Sequence, residues 1–543
     1  MEIKSNRVKD IIIRLGLIFL ASVLFAASFP NVIFLKGLPF LAWFAYIPIL
    51  LVIRKNNLLP CAGYGAIYGL IAYSLFNYWL AKFHPLAGTI VYSIYLIYLA
   101  VVFVFLKLAL ILFPKRGYLV QWVIWLAYEY LRTKGFLGYS YGITGYSQWS
   151  AAPLIQIASV TGVWGVSALV TFPSFWLAEA YNNLKLTDFK TSFASFFRKE
   201  KIPAILWFTA LASALIFALF NIKDFSSYPS APIALIQHNT DPWEASTAPS
   251  AWQTTQGYRK DLEKLTRLSD KALSSAPKPL LVVWPETAFI PRIYWHTTYR
   301  DDQNSWLIVK ELLEYLSEKD VPFLIGNDDG RKDSAKNPNA GEKNRVDYNA
   351  ALLFEKGVNT AAYRKLHLVP FTEHFPYKKQ FPFIYKWLEK ADTHFWEKGA
   401  EETIFSVQGF TFSAPICFED TFGYLSKRFV HSGADVLVNI SNDAWSNSLP
   451  SQYQHLAMAV FRAAENYRPM VRATSSGQTC AIDPNGRVTA MAPPFAEIAL
   501  NVTVPLVKKN TIYTLYGDYL AIFLVFLSAA LLICKAVWCT IKQ

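Results

Sequence analysis

The chain has 543 residues, 53% of them hydrophobic and 17% charged, where an ordinary soluble protein carries about 25% charge, so a wholly soluble protein is excluded. An aromatic content of 16% excludes disorder, and five cysteines over this length exclude a disulfide-stapled scaffold. The formal net charge of +13 invites a nucleic-acid reading, but the residues outside 223–509 hold 20 Lys and Arg against 7 Asp and Glu, which is the whole excess; no nucleic-acid partner is expected.

From the N-terminus, apolar runs near 11–29, 33–53, 61–81, 89–113, 118–133, 154–180, 202–221 and 514–534 each approach the ~20 residues a helix needs to cross a bilayer, and predict eight transmembrane helices. The fifth carries Glu129 and closes on Arg132 and Lys134, and the alternation of flanking charge requires it. Fifteen Lys and Arg flank the spans on one side, from Lys4, Arg7, Lys9 and Arg14 to Lys535 and Lys542; the opposite short loops hold only Lys36, Lys82, Arg132 and Lys134. The positive-inside rule then puts both termini in the cytoplasm, and seven helices export the long segment beyond residue 222. Residues 10–28 could be read as a cleaved signal peptide, but six further spans favour an uncleaved anchor. The expected domains are 1–222, with seven helices; 223–510, exported; and 511–543, a last helix with a short cytoplasmic tail.

From about 223 the texture changes to short apolar runs divided by polar and Gly/Pro turns: 231–237, 279–289, 321–327, 348–354, 410–420 and 434–443 read as buried strands. Helical periodicity lies between them at 256–275 and 304–318, so the exported part is expected to be α/β. The polar stretch 329–346 is expected to be a mobile loop. The stretch 375–388 mixes aromatics with lysines, as interfacial segments and ordinary surface excursions both do.

Of the cysteines, Cys417 and Cys480 lie in the exported part, where a disulfide is one reading. Another starts from the position of Cys417, at the end of FTFSAPIC and before Phe418, Glu419 and Asp420, where a nucleophile could stand; a buried inert thiol is the third. A thiol of ordinary pKa about 8.5 needs a base or a cation beside it. Glu286 in VVWPETAF, Lys365 in YRKLHLVPFTEHFP, and His367, His374, His431 and His455 are all candidates, and no spacing selects among them. Neither HExxH nor paired CxxC spacing occurs, and Gly-rich phosphate loops are missing, so no metal or cofactor is called for.

The order WPET, YRKLHLVPFTE, PICFED resembles the Glu-Lys-Cys set of the nitrilase superfamily. HLVPF followed by Glu373, VNISNDAW ending at Trp445, QHLAMAVFRAAENYRPMVRATSSGQTCAIDPNG and the membrane stretch 145–169 narrow the resemblance to the apolipoprotein N-acyltransferases, which complete lipoprotein maturation. The resemblance spans almost the full chain and implies an αββα sandwich. Residue by residue, it implies Glu286 as general base, Lys365 as the oxyanion's cation and Cys417 as nucleophile. Glu373 and Glu419 would support them, and Trp445 would position or gate the acyl chain. Thr372 and Phe418 stand where the family commonly has Gly and Tyr.

The expected activity is transfer of an acyl chain from a phospholipid, through a thioester, to the amino group of an apolipoprotein's N-terminal diacylglyceryl-cysteine, in the lipid bilayer of the bacterial inner membrane and on its outer face. Two alternatives stand beside it: a membrane-anchored amidase using the same three residues, and a transporter with an exported sensing domain. Against the second, the acids within spans, Glu129, Glu179 and Asp518, lie toward span ends.

Overall fold

The computed structural model describes residues 2–83, 85–184, 189–240, 255–333, 344–390 and 395–541. The chain divides into two compact units, one of Met1–Lys223, Ser446–Ala457 and Tyr516–Gln543, the other of Asp224–Trp445 and Met458–Leu515.

The first unit is helical: α1 Glu2–Ser28, α2 Ile47–Arg54, α3 Leu58–Phe76, α4 Pro85–Leu112, α5 Gly117–Leu131, α6 Val163–Asn183, α7 Phe189–Asn221 and α8 Tyr519–Ile541. Six helices among the described residues are long and apolar enough to cross a bilayer: α1, α3, α4, α6, α7 and α8. The expected second and fifth spans differ from them. Residues 33–53 form a 3-10 turn, Pro39–Trp43, and the eight-residue α2, because Pro39 and Pro48 each begin a new helical segment instead of continuing one. The fifth, α5, has 15 residues. Helix α3 lies close against α4: a Cβ on Gly65 or Gly69 would come within 2.3 Å of the carbonyl oxygens of Leu99 and Tyr95, so small residues set this contact.

Buried charge ends α5. Glu129 accepts the backbone N–H of Thr144 at 2.9 Å and also its hydroxyl, while Arg132 donates to the carbonyl of Tyr141 at 2.9 Å and the hydroxyl of Tyr95 at 2.5 Å. The rings of Tyr73, Tyr95 and Tyr128 face the same guanidinium at 5.5–5.8 Å. Non-helical backbone inside such a unit needs partners of this kind, and these two side chains hold the irregular stretch 139–148. The other acids in spans are also paired: Glu179 with Arg54, and Asp518 with Lys134 at 3.3 Å and the Trp164 indole N–H at 2.8 Å.

The second unit holds two six-stranded sheets. The first is built from β1 Ser230–Gln237, β2 Leu281–Val283, β3 Phe323–Lys332, β4 Arg345–Glu355, β5 Val358–Arg364 and, at its edge, β12 Ile498–Pro505, in the order β12-β1-β2-β3-β4-β5. The second contains β6 Phe405–Val407, β7 Phe410–Ser413, β8 Val436–Ser441, β9 Met470–Thr474, β10 Cys480–Ile482 and β11 Val488–Met491, in consecutive order. Both sheets have parallel strands at the centre (β1-β2-β3 and β7-β8-β9) and antiparallel neighbours outside. The sheets pack face to face through β1 on β9 and β10 on β12. Helices Thr255–Leu273 and Gln303–Ser317 cover the first sheet with Leu262, Leu265, Leu268, Ile308, Leu312 and Leu316, and Gly423–His431 packs on β8. The layers are those of an αββα sandwich.

Two expectations change, and a third stretch is part buried and part exposed. The apolar runs 279–289, 410–420 and 434–443 are longer than strands β2, β7 and β8, because the turns beyond the strands, opened by prolines in the first two, are buried as well. The stretch 329–346 is ordered at both ends, where β3 and β4 pair as a hairpin out to Lys332 and Arg345; 334–343 lie outside the described residues. Within 375–388, Phe375 is buried, while Tyr377, Phe381, Phe383 and Trp387 are exposed around the short helix Pro382–Lys390.

Candidate active site

The site assembles where strands end. Parallel β2 and β7 run out into loops at their carboxyl ends, the usual place for chemistry in such sheets. Strand β5 reaches the same edge as β2, because two antiparallel reversals, β3 to β4 and β4 to β5, restore the direction of β2.

After β2 the chain turns at Pro285, and Glu286 points inward, 6% exposed. Gly326 on β3 makes room for this turn: a Cβ there would lie 2.2 Å from the Pro285 carbonyl oxygen and 2.8 Å from Glu286 Cα. The carboxylate is oriented by two donors, the Asn349 amide to Oε1 at 2.8 Å and the Asn442 backbone N–H to Oε2 at 2.9 Å.

Lys365 is the first residue beyond β5, its N–H donating to the Asn349 carbonyl at 2.8 Å and its carbonyl accepting from Gly399 at 2.9 Å. The side chain is wholly buried, with Nζ 2.7 Å from Glu373 Oε1 and 3.4 Å from Glu286 Oε1. Burial by itself would push the ammonium down. The carboxylates of Glu373 and Glu286, with the Cys417 thiol, outweigh burial and hold Lys365 above the ordinary lysine value, so it is charged. Burial in turn raises the Glu373 carboxyl, with Lys365 opposing and Glu286 adding to the rise; its Oε2 accepts from the Val369 N–H at 2.9 Å.

Past β7, Ile416 bridges to Ile440, and Cys417 opens a 3-10 turn, Cys417–Thr421, with φ of 49°. A side chain bearing Cβ in this left-handed region is strained and is held by its surroundings; here the Asn439 amide donates to the Cys417 carbonyl at 3.3 Å. The thiol is free and half-buried. Burial pushes it well above the usual value, the charges of Glu286 and Asp443 push the same way, and Lys365 and a hydrogen bond with Ser441 oppose them. Such a thiol rests protonated and reacts only when a base removes its proton. Cys480 is also free, so the two are not joined; it is wholly buried and pushed up to about 12, chiefly by burial.

Glu419, fully buried, ties two of these segments together. It accepts the N–H groups of Leu366 at 2.7 Å and His367 at 2.9 Å from the Lys365 loop, that of Ile416 at 2.8 Å beside the nucleophile's turn, and the Tyr363 hydroxyl at 2.8 Å. Burial pushes its carboxyl up to about 7 against the pull of these donors and of Lys365. Phe418 packs edge-on against Phe422 at 5.0 Å, and Phe422 stacks on His367 at 3.8 Å. Trp445 stands on the turn Asp443–Ser446, three residues beyond Asn442, and is 40% exposed.

Glu286, Lys365, Glu373, Cys417 and Glu419 are thus gathered around one point, with Trp445 on the adjoining turn. Asn349, Asn439, Ser441, Asn442 and Arg472 were not singled out from sequence. Their signal was present: Asn349, Asn439 and Arg472 interrupt apolar strands and are essentially fully buried, and buried polar groups are paired for a reason.

Residues 233–509 match the carbon-nitrogen hydrolase family, and residues 21–176 match the apolipoprotein N-acyltransferase N-terminal domain. Apolipoprotein N-acyltransferase 1 of Treponema denticola is 45% identical over 94% of this chain and 94% of its own length. The protein of the same name from Treponema pallidum is 44% identical over 96% of each chain. Apolipoprotein N-acyltransferase of Geobacter metallireducens is 31% identical over 92% of this chain and 91% of its own.

Proposed function

This chain belongs to the apolipoprotein N-acyltransferases, a membrane-embedded branch of the nitrilase superfamily acting in lipoprotein maturation, and we propose that Cys417 carries the acyl chain as a thioester. In the first half-reaction Glu286 accepts the thiol proton and the sulfur attacks an ester carbonyl of a phospholipid. Negative charge then gathers on the carbonyl oxygen, where the Lys365 ammonium stabilises it. Collapse expels the lysophospholipid alkoxide, which leaves with the proton held by Glu286. In the second half the amino group of the acceptor's N-terminal diacylglyceryl-cysteine attacks the thioester, Glu286 removes its proton, and Cys417 departs as thiolate and is reprotonated. The observation that carries this reading is one charged lysine held between two carboxylates next to a thiol at a strained strand end.

Glu373 keeps Lys365 charged and in place, and Glu419 fixes the lysine's loop to the nucleophile's turn. The exposed ring of Trp445 offers an apolar surface for an acyl chain, and Phe381, Phe383 and Trp387 offer another toward lipid. Keeping both chains in an apolar setting matters, because exposing them to water costs about 0.8 kcal/mol per CH₂. The names of the relatives favour neither the amidase nor the transporter alternative.

The protein is a multi-pass membrane protein. For its topology we take eight crossings, with both termini cytoplasmic, the catalytic domain 223–510 on the outer face and the segment 511–543 returning the chain. The support is the fifteen-to-four asymmetry of Lys and Arg around the spans. The deciding experiment is mass spectrometry of the purified protein after incubation with phospholipid, with an acyl adduct expected on Cys417; an unmodified Cys417 in a preparation that still transfers acyl chains would overturn the thioester.

A further inference from the structure

Arg472 is a fully buried cation in a five-residue strand, β9, and takes no part in the chemistry above. Its guanidinium spans two carboxylates on two different turns, donating from Nη1 to Asp420 Oδ2 and from Nη2 to Asp443 Oδ2 at 3.2 Å. Asp420 lies in the turn that Cys417 opens. Asp443 comes directly after Asn442, whose N–H orients Glu286. A planar fork that reaches two acceptors at once is a property of arginine that lysine lacks.

The second carboxylate also bears on the nucleophile. Ser441 Oγ donates to Asp443 Oδ1 at 3.0 Å, and the same serine neighbours the Cys417 thiol. The charged groups acting on that thiol are Glu286, beyond β2; Lys365, beyond β5; Asp443, beyond β8; and Arg472, from β9. Glu373 and Glu419 bear on it through Lys365, and Asp420 through Arg472. An unneutralised carboxylate beside a thiol opposes thiolate formation. The side of Asp443 is closed by Gly477, where a Cβ would come 2.7 Å from Asp443 Cβ, so the aspartate cannot swing away on that side without backbone movement.

We propose that Arg472 is a positioning residue of acyl transfer, which offsets the charge of Asp443 so that it opposes the Cys417 thiolate less, and which ties the nucleophile's turn to the segment beyond β8 whose Asn442 N–H orients Glu286. The proposal rests on the reading of Cys417 as nucleophile and Glu286 as base.

The test follows the rate of Cys417 alkylation by iodoacetamide from about pH 6 to 10, read by peptide mass, together with single-turnover acyl-enzyme formation from phospholipid, all on the full-length protein in detergent. Arg472→Gln should move the alkylation midpoint up by about one pH unit and slow acylation at neutral pH by at least about tenfold. Adding Asp443→Asn to it should bring the midpoint back toward wild type, since the exposed charge is gone; a merely structural role predicts no such return. Arg472→Lys should keep the wild-type midpoint but lose rate, because one ammonium cannot serve both turns. If Arg472→Gln does not fold, Arg472→Lys decides: a wild-type midpoint with slowed acylation supports the proposal, and a shifted midpoint or unslowed acylation overturns it. Unchanged midpoints in the Arg472→Gln protein overturn it as well. Acyl-enzyme formation in a Cys417→Ala protein would instead remove the underlying site reading, so the two failures are distinct.

Discussion

Lys365 Nζ is 2.7 Å from Glu373 and 3.4 Å from Glu286, so the lysine's close partner is Glu373 and the two members of the proposed triad are only loosely paired. Glu286, oriented instead by Asn349 and Asn442, can trade protons while the lysine keeps its charge. This separation makes their variants distinguishable.

Glu286→Gln should slow acyl-enzyme formation at neutral pH and recover in part as rising pH generates thiolate without the base. Lys365→Met should lose about 10²–10³ in rate and show no such recovery, because alkali does not replace the oxyanion's partner. Single-turnover acylation across about pH 6.5 to 9 checks both. Equal recovery in the two proteins would refute the division of roles.

Cys417→Ala and Cys417→Ser should abolish acyl transfer while leaving expression and membrane insertion intact, since the side chain is small and the residue only half-buried. Transfer assays on membranes matched for protein level provide the comparison; wild-type turnover in either variant counts against the thioester.

Gly326→Ala should lower kcat strongly while reducing stability by about 1–3 kcal/mol, as overpacking usually does. The added methyl meets the Pro285 carbonyl and Glu286 Cα, and the base must shift with its turn. Thermal melting and single-turnover kinetics together separate this outcome from simple unfolding.

Glu419 gives a pH signature of stability. Its carboxyl sits at about 7 in the folded protein, above the roughly 4.3 of a free glutamate, so between these values the folded state holds a proton that the unfolded chain has released. Stability from this group is therefore fully present below about pH 4.3 and declines as pH rises through about 7. Glu419→Gln should remove that dependence, and at any pH it presents an amide donor to a cluster of donors, costing about 1–3 kcal/mol. Melting curves at a series of pH values test it; a slope unchanged by the substitution would exclude Glu419 as its source.

Topology is tested by cysteine labelling on a background lacking the native cysteines. An impermeant reagent on intact spheroplasts should reach Glu401→Cys and miss Lys190→Cys, both exposed positions. The reverse pattern refutes the orientation.

How much of this could be read from the sequence depends on how local each signal is. Apolar strands with long helices between them announced the α/β unit, and strand-end residues such as Glu286 and Cys417 stood out because a reactive group came straight after an apolar run. Strand β5, VNTAAYR, escaped notice because it is an edge strand whose first three residues are exposed, so its pattern resembles a loop. Arg472 and Asn349 escaped because a polar residue inside an apolar run has no local partner: those of Arg472 are 29 and 52 residues away and that of Asn349 is 63. The broken second span had its signal in Pro39 and Pro48, which composition counting passes over. The short α5 reads as a full span because the alternation of flanking charge calls for a crossing there, although its apolar run closes at Arg132, which turns back to the Tyr141 carbonyl.

That buried end of α5 also bears on how the protein is made. At 15 residues the helix is about 22 Å long, short of the ~30 Å hydrocarbon layer. Its Glu129 and Arg132 find their partners in Thr144 and Tyr141, which leave the ribosome later, and in Tyr95 of an earlier helix. Released alone into lipid, the segment would expose both charges. The segment is therefore satisfied only once residues 139–148 have been synthesised and folded back on it, so it gains its place in the bilayer together with its neighbours and not before them.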